Sequence, residues 1–406
     1  MRLIDRIAAH AAADPHAAAI LDEGGALSYA ELWAESGRTA ARLTEAGIGP
    51  GSRVALAAGR SAGHIVAALG VWRAGAAIVP LDPGAAPLRR EQMLRATAPA
   101  ATIADDQTVE RHGGPGPDDT APLGLGRSTD DGYYVFTSGS TGRPKGIAMP
   151  RAALDNLLDW QLPELGERPH RRVAWFASVA FDVSLQEITC TLASGGTLAV
   201  VPEEIRANPD AFLAWLVETR IEVLHLPYVA LQMLAAQAAT SPLVPRLRLT
   251  EVITAGETLK CSPDIVRMFL RLPSTRLTNQ YGPSESYIIT RYALPGDPAQ
   301  WPALPPLGTA VPGVRVTLRD ATGPRSSRAS RASCASAGSS CAATWARTRP
   351  KRARAPSPTG TTARATSRAN ARGFSGSPGA RTSRSRSTAI GSSSRGSRAC
   401  CSNTPG

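Results

Sequence analysis

Residues 133–146, YYVFTSGSTGRPKG, collect the side-chain types that suit an anionic ligand. Residues 133–136 read as a strand. It opens into a loop holding Thr137, Ser138, Gly139, Ser140, Thr141 and Gly142, which Lys145 and Gly146 close. Glycines let backbone N–H groups turn inward around an anion, hydroxyls add donors, and a lysine supplies charge. The spacing is not that of the GxxxxGK[ST] phosphate loop, so a mononucleotide switch of that class is not implied. A plain Ser/Gly linker would need neither the leading strand nor Arg143, Pro144 and Lys145 at its close.

Other chemistry is excluded by what is missing. No Ser-His-Asp constellation is evident, and the six cysteines lack zinc-ligand or redox spacing beside a histidine cluster. Cys190 and Cys261 read as structural thiols of a reducing compartment. The N-terminus carries charges too early for a signal-peptide core, and no apolar run approaches the roughly 20 residues of a membrane span. These features predict a cytoplasmic protein with no membrane partner.

The elements that must position the loop follow from periodicity. Residues 2–13 have apolar positions at helical spacing, and residues 27–43 begin with Ser28 and Glu31, a capping-box pattern. Short apolar runs (54–58, 76–82, 173–178, 195–202, 221–227, 249–256) alternate with helical stretches such as 64–75 and 211–220. Such alternation predicts an α/β architecture with mostly parallel strands covered on both faces. Segments 112–119 and 295–306, rich in Gly, Pro and Asp, read as loops.

Composition changes near Gly323. Of the 45 Lys and Arg residues 16 fall after it, but none of the 33 Asp and Glu, so residues 1–323 carry a net −4 and the tail accounts for the overall +12. The basic balance is therefore no nucleic-acid footprint of the folded part. The tail, 324–406, has almost no aliphatic residues and is predicted to be disordered, since it cannot bury enough apolar area to offset ordering its backbone.

TSGSTGRPKG resembles the phosphate-contacting signature of the adenylate-forming (AMP-binding) superfamily, which includes amino-acid adenylation domains, acyl-CoA synthetases and luciferases. Five further segments are similar to family landmarks and occur in family order: LSYAEL (27–32), WRAGAAIVPLDP (72–83), FDVSLQEI (181–188), ITAGE (253–257) and NQYGPSE (279–285). The resemblance implies the layered α/β large N-terminal subdomain of these enzymes over residues 1–323, incomplete at its end and without the small C-terminal subdomain.

Roles transfer by position. The resemblance implies that Thr137, Ser138, Gly139, Ser140, Thr141, Gly142 and Lys145 contact the phosphates of ATP. Gly256, Glu257, Asn279, Gln280, Tyr281, Gly282, Pro283 and Ser284 would surround the adenine, with Tyr281 stacking on it. Glu285 would hold Mg2+, a task suited to a hard carboxylate. Lys145 and Glu285 are thus the expected catalytic pair, in a reaction where positioning and charge neutralisation dominate. Taken alone, Glu257 and Ser284 could be ordinary loop residues.

FDVSLQEI is most similar to the form found in nonribosomal peptide synthetase adenylation domains. There its aspartate, here Asp182, holds the substrate α-ammonium, a sensible partner for a carboxylate out of water. The alternative is a helix-capping aspartate. The remaining pocket positions by resemblance are Val183, Gln186, His225, Ile253, Ala255, Gln280, Ile288 and Ile289. Lacking a second carboxylate, the lining argues against a Lys, Arg or Orn side chain and looks somewhat like pockets for proline and small aliphatic amino acids. His225 could equally be a structural histidine. The implied partners are an amino acid and a peptidyl carrier protein bearing phosphopantetheine, with no nucleic acid.

The tail reads as a GC-rich gene translated one base out of register. With permitted codons and a single shift, residues 361–367 give YRTGDL, 384–394 give VKVDGHRIEL and 399–406 give LLLEHPG. All three resemble family segments, in family order and at about family spacing. The chain as written lacks the family's ribose-binding aspartate and its small-subdomain lysine, which predicts weak or absent adenylation. Two other classes stay open: an acyl- or aryl-CoA ligase fragment, and a non-catalytic nucleotide-binding remnant with a basic tail.

Overall fold

The computed structural model describes residues 2–112, 128–138, 144–165, 170–320, 323–324 and 340–345. These all fall within one compact unit, Met1–Ala369; the second unit, Asn370–Gly406, lies outside the described residues.

Helix α1 (Arg2–Ala13) precedes the hairpin β1 (Ala18–Asp22) and β2 (Gly25–Ser28), which feeds α2 (Tyr29–Glu45). Ser28 caps α2 as its spacing predicts: its hydroxyl accepts from the Glu31 N–H at 3.3 Å, and its own N–H donates to Glu31 Oε2 at 2.8 Å. Next come β3 (Arg53–Ala57), α3 (Ala62–Arg73), β4 (Ala77–Pro80), α4 (Pro87–Thr97), β5 (Ala101–Ala104) and β6 (Val109–Arg111). The hairpin β7 (Asp131–Ser138) and β8 (Pro144–Pro150) leads into α5 (Arg151–Leu165). A second alternation follows: β9 (Arg172–Trp175), α6 (Asp182–Ala193), β10 (Thr197–Val200), α7 (Pro209–Glu218), β11 (Val223–Leu226), α8 (Tyr228–Ala238), β12 (Glu251–Thr254), α9 (Pro263–Leu270) and β13 (Arg276–Tyr281). Short strands β14 (Thr290–Ala293), β15 (Thr309–Ala310), β16 (Val314–Asp320), β17 (Gly323–Pro324) and β18 (Ser340–Trp345) end the described chain.

The strands form three sheets. One runs β6-β5-β3-β4-β7-β8 and the largest runs β15-β14-β13-β12-β11-β9-β10-β1-β2. In both, the inner strands are parallel and antiparallel strands lie at the edges.

Period-two alternation explains the layering. On the large sheet, Val173, Trp175, Leu198, Val200, Val223 and Ile253 join one core, while their neighbours Ala174, Phe176, Ala199, Val201, Leu224 and Val252 join another. The first core also takes in Leu3, Leu32, Ile65, Leu154 and Leu185, so α1, α2, α3, α5 and α6 form a helical layer between the two sheets. Helices α7, α8 and α9 cover the far face of the large sheet, and Met93 of α4 covers the far face of the smaller one. Strands buried on both faces have no solvent side, which is why their sequences read as apolar runs.

Strands β16, β17 and β18 make the third sheet. β18 lies within residues 324–406 and pairs antiparallel with β16, from Val314↔Trp345 to Arg319↔Ser340. Main-chain pairing along an open edge needs no particular side chains. Apart from Pro324 in β17, the remainder of the tail, including every segment that decodes under the base shift, lies outside the described residues.

Candidate active site

The parallel topology gathers the site at the carboxyl ends of the large-sheet strands. Lining a cleft of about 530 Å3 are residues just past β9 (Phe176, Ser178), the start of α6, the end of β11, the β12–α9 turn and the turn after β13. Open α/β sheets bind ligands at this edge because crossover loops converge there. Ten residues expected from sequence border the cleft together: Asp182, Val183, His225, Ile253, Ala255, Gly256, Glu257, Gly282, Pro283 and Ser284. A second recess of about 600 Å3, with Arg60, Asp82 and Glu203 in its wall, contains none of these ten, so the first cleft is the candidate site.

The strands that flank the glycine-rich segment, β7 and β8, pair antiparallel. Strand β7 runs through Thr137 and Ser138, and Lys145 sits on the return strand opposite Thr137. Gly139, Ser140, Thr141 and Gly142 lie outside the described residues. Lys145 Nζ donates to Glu285 Oε1 at 3.4 Å. Glu285 follows the cleft-lining Ser284, so the hairpin meets the cleft at this pair.

Residues after β13 are held by a tight crossing. A Cβ on Gly282 would fall 1.6 Å from the Tyr287 carbonyl oxygen, so only glycine fits there. Tyr287 itself has φ +58°, a left-handed conformation rare for a bulky residue. Its hydroxyl donates to the Asp182 backbone carbonyl at 3.2 Å, and its ring meets that of Tyr133 edge-on at 6.1 Å. Tyr133 is on β7, so the strand that carries the phosphate-type loop also packs against the support of Asp182.

Asp182 is the first residue of α6; Phe181 holds the cap position without a side-chain hydrogen bond. Burial, with a smaller contribution from the charge of Glu285, raises the Asp182 carboxyl to about 6 against the pull of its hydrogen bond from the Val183 N–H. An anion held at such cost is a natural counter-charge for a cation entering the cleft. Glu257 Oε2 accepts the Val229 N–H at 3.2 Å.

The other expected positions are divided. Ile253 on β12 pairs in register with His225 on β11, and Thr278 of β13 lies alongside Ile253. Alternation then places Gln280 on the same face, toward the central helices. There Gln186 Nε2 donates to Gln280 Oε1 at 3.0 Å and to Gln161 Oε1 at 2.7 Å. All three amides are buried, as is His225, whose imidazole burial pushes down to about 3 and keeps neutral. Gln186, Gln280, Ile288 and Ile289 do not border the cleft; Ile288 faces a small cavity against α5, and the Ile289 N–H donates to the Tyr281 carbonyl at 2.9 Å. Asn279 Nδ2 donates to the Pro306 carbonyl at 3.0 Å.

Sequence reasoning misses two residues. Gln161 is recognisable only by its contact with Gln186, 25 positions away. Glu187, fully buried, accepts the N–H groups of Phe176 and Ala177 at 3.1 Å each, which fixes the start of the loop leading to Asp182. No spacing in α6, which also carries Asp182, Ser184, Gln186, Thr189 and Thr191, singled it out. Among the described residues, no cluster of three or more His, Cys, Asp or Glu could hold a metal, and no helix is long and apolar enough to cross a membrane.

Fold and site define a layered α/β protein whose β7–β8 hairpin sets Lys145 against Glu285 at the edge of a strand-end cleft. The chain belongs to the AMP-binding enzyme family, whose description matches residues 7–329. It is 32% identical over 324 residues, 75% of this chain, to tyrocidine synthase 2 of Brevibacillus parabrevis, of which it covers 9%. It is 33% identical over 331 residues, 77% of this chain, to the isonitrile lipopeptide synthase of Streptomyces coeruleorubidus, of which it covers 22%. The chain thus spans less than a quarter of these relatives. Among solved structures, CmiS6 matches with TM-score 0.67 at 28% identity, over 80% of this chain and 82% of that one. The fold is also that of FmoA3, a nonribosomal peptide synthetase solved with AMPPNP, at TM-score 0.70 and 23% identity, over 84% of this chain and 37% of that one.

Proposed function

We propose that this chain is the nucleotide-binding large part of an amino-acid adenylation domain, whose reaction joins an amino-acid carboxylate to the AMP moiety of ATP for nonribosomal peptide synthesis. The observation that carries the reading is Asp182, a desolvated carboxylate in the same cleft as Gly256, Glu257 and the 282–284 turn. A fatty-acyl or aryl substrate would give that carboxylate no cation to meet.

In this reading Asp182 holds the α-ammonium and aims the substrate carboxylate at the α-phosphorus. The carboxylate oxygen forms a bond to that phosphorus as the bond to the bridging α–β oxygen breaks, and pyrophosphate leaves. No proton is transferred. The chain's task is to orient the reactants and offset developing negative charge, which Lys145 and the donors of the 137–142 loop are suited to do. Tyr281 stacks on the adenine. Glu285 fits Mg2+ as a single hard carboxylate, because that ion is commonly held by one or two carboxylates together with substrate phosphates. When bound, Mg2+ neutralises phosphate charge. The acceptor of the aminoacyl group is the phosphopantetheine thiol of a peptidyl carrier protein.

The tail belongs to the same proposal. Residues after about 323 are the family's remaining segments read out of frame, so the chain binds nucleotide but adenylates weakly or not at all. Sequencing the gene and its transcript around codon 323 tests this: an uninterrupted frame matching the intact protein's mass overturns it. Binding of ATP and of 5′-O-(N-aminoacylsulfamoyl)adenosines to the full chain, by calorimetry, tests the activity class. Failure of every nucleotide to bind overturns it, as does binding of fatty-acyl analogues in preference to aminoacyl ones.

A further inference from the structure

Tyr287 stands where three segments meet. Its turn is closed on both sides, by the Ser286 N–H to the Pro283 carbonyl and the Ile289 N–H to the Tyr281 carbonyl, each at 2.9 Å. Within that turn Tyr287 takes φ +58°, a conformation that glycine or asparagine adopts at far lower cost. A bulky residue persists there only when its surroundings over-determine it, and such outliers cluster at ligand sites. Three contacts do so here. The Tyr287 carbonyl crosses Gly282, its buried ring meets Tyr133 of β7 edge-on, and its hydroxyl donates to the Asp182 carbonyl, 105 positions away.

The last of these bears on Asp182. Phe181 caps α6 without a side-chain hydrogen bond, and the Asp182 carboxyl accepts from the main-chain N–H groups of Val183 and of Asp182 itself. The carboxylate therefore points where the first turn of α6 puts it. Glu187 fixes the loop before that turn, through Phe176 and Ala177, and the Tyr287 hydroxyl fixes the turn itself. We propose that Tyr287 is a positioning residue: braced on β7, it sets the spacing between Asp182 and the hairpin that carries Lys145, so that one ligand meets both. This rests on the adenylation reading. A carbonyl oxygen has two lone pairs, so the added bond costs α6 no hydrogen bond of its own. Phenylalanine would fill the same space but release the Asp182 carbonyl.

The test uses matched sulfamoyladenosines that differ only in carrying the α-ammonium: alanyl with propionyl, prolyl with cyclopentanecarbonyl, and leucyl with 4-methylpentanoyl, with AMP alongside. Calorimetry on the full-length chain is expected to show the aminoacyl member of at least one pair binding about 10- to 100-fold more tightly. Tyr287→Phe is expected to cut that preference about tenfold while AMP affinity changes less than about twofold. A hydroxyl with only a structural role would lower the unfolding midpoint and leave the preference intact, which overturns the proposal. Equal losses for AMP and both members of a pair overturn it too. Tyr287→Gly removes the side chain together with the left-handed penalty, so it carries the test if Tyr287→Phe does not fold. It is expected to lose the preference as well. A native preference that survives both substitutions sinks this inference alone. A native chain that binds AMP without any preference for the ammonium sinks the amino-acid reading and this inference with it, as does a failure of AMP and every analogue to bind.

Discussion

Lys145 and Glu285, 140 positions apart, meet at 3.4 Å where the β7–β8 hairpin faces the turn after β13. Lys145 is 60% exposed and Glu285 31%, so the pair adds little to stability. Its meaning is positional: a cation and a hard-oxygen ligand stand on opposite sides of one opening. A triphosphate entering between them would exchange the direct contact for two productive ones.

Lys145→Ala should therefore leave the folded chain nearly as stable and weaken ATP binding by about 10- to 100-fold, the worth of one charge-assisted contact. Calorimetry with ATP in magnesium reads it. Glu285→Ala should weaken ATP binding in magnesium more than in its absence. Equal losses under both conditions would remove Glu285 from the metal's surroundings.

If Asp182 holds the substrate ammonium as proposed, substrate binding depends on pH. Burial lifts its carboxyl from the usual 3.8 to about 6, so the folded chain takes up a proton as pH falls through 6. Affinity for an aminoacyl sulfamoyladenosine should drop as pH falls below 6, while AMP affinity changes less. Asp182→Asn should weaken the aminoacyl analogue about 10- to 100-fold at pH 7.5 and flatten this dependence.

Glu187 makes a stability prediction of defined sign. Burial raises its carboxyl from 4.5 to about 8, so between these values the folded chain holds a proton that the unfolded chain has released. Stability should then fall as pH rises from 4.5 toward 8. Glu187→Gln, which keeps an acceptor for the Phe176 and Ala177 N–H groups, should reduce that slope by about one proton. Glu187→Ala strands both donors and should cost about 2–5 kcal/mol in urea unfolding at pH 6.

Gly282→Ala tests the crossing in the turn after β13. With the Tyr287 carbonyl 1.6 Å from the new Cβ, the backbone has to move. Unfolding should be easier by about 3 kcal/mol or more, or soluble protein should be lost. A denaturation midpoint equal to that of the native chain would show that the 282–287 turn relaxes freely.

Much of this protein was legible one segment at a time. The capping box at Ser28 and Glu31, the α1 helix, the strand entering the glycine-rich loop and the buried parallel strands depend on residues a few positions apart. Local hydrogen bonds and a period of 2 or 3.6 determine them. The resemblance of six short segments added the expectation that they share a cleft.

Tertiary structure alone decided how they do so. Lys145 reads as a loop terminus in sequence but stands on a return strand facing Glu285. Gln186 and Gln280 were expected beside Asp182, yet they tie to Gln161 behind His225. Alternation along β11, β12 and β13 says which face a side chain takes, but not which helix crosses that face or how deep each residue lies. Those depend on parallel strands joined by long crossovers, which bring together positions 25 to 140 apart and leave no local spacing to read.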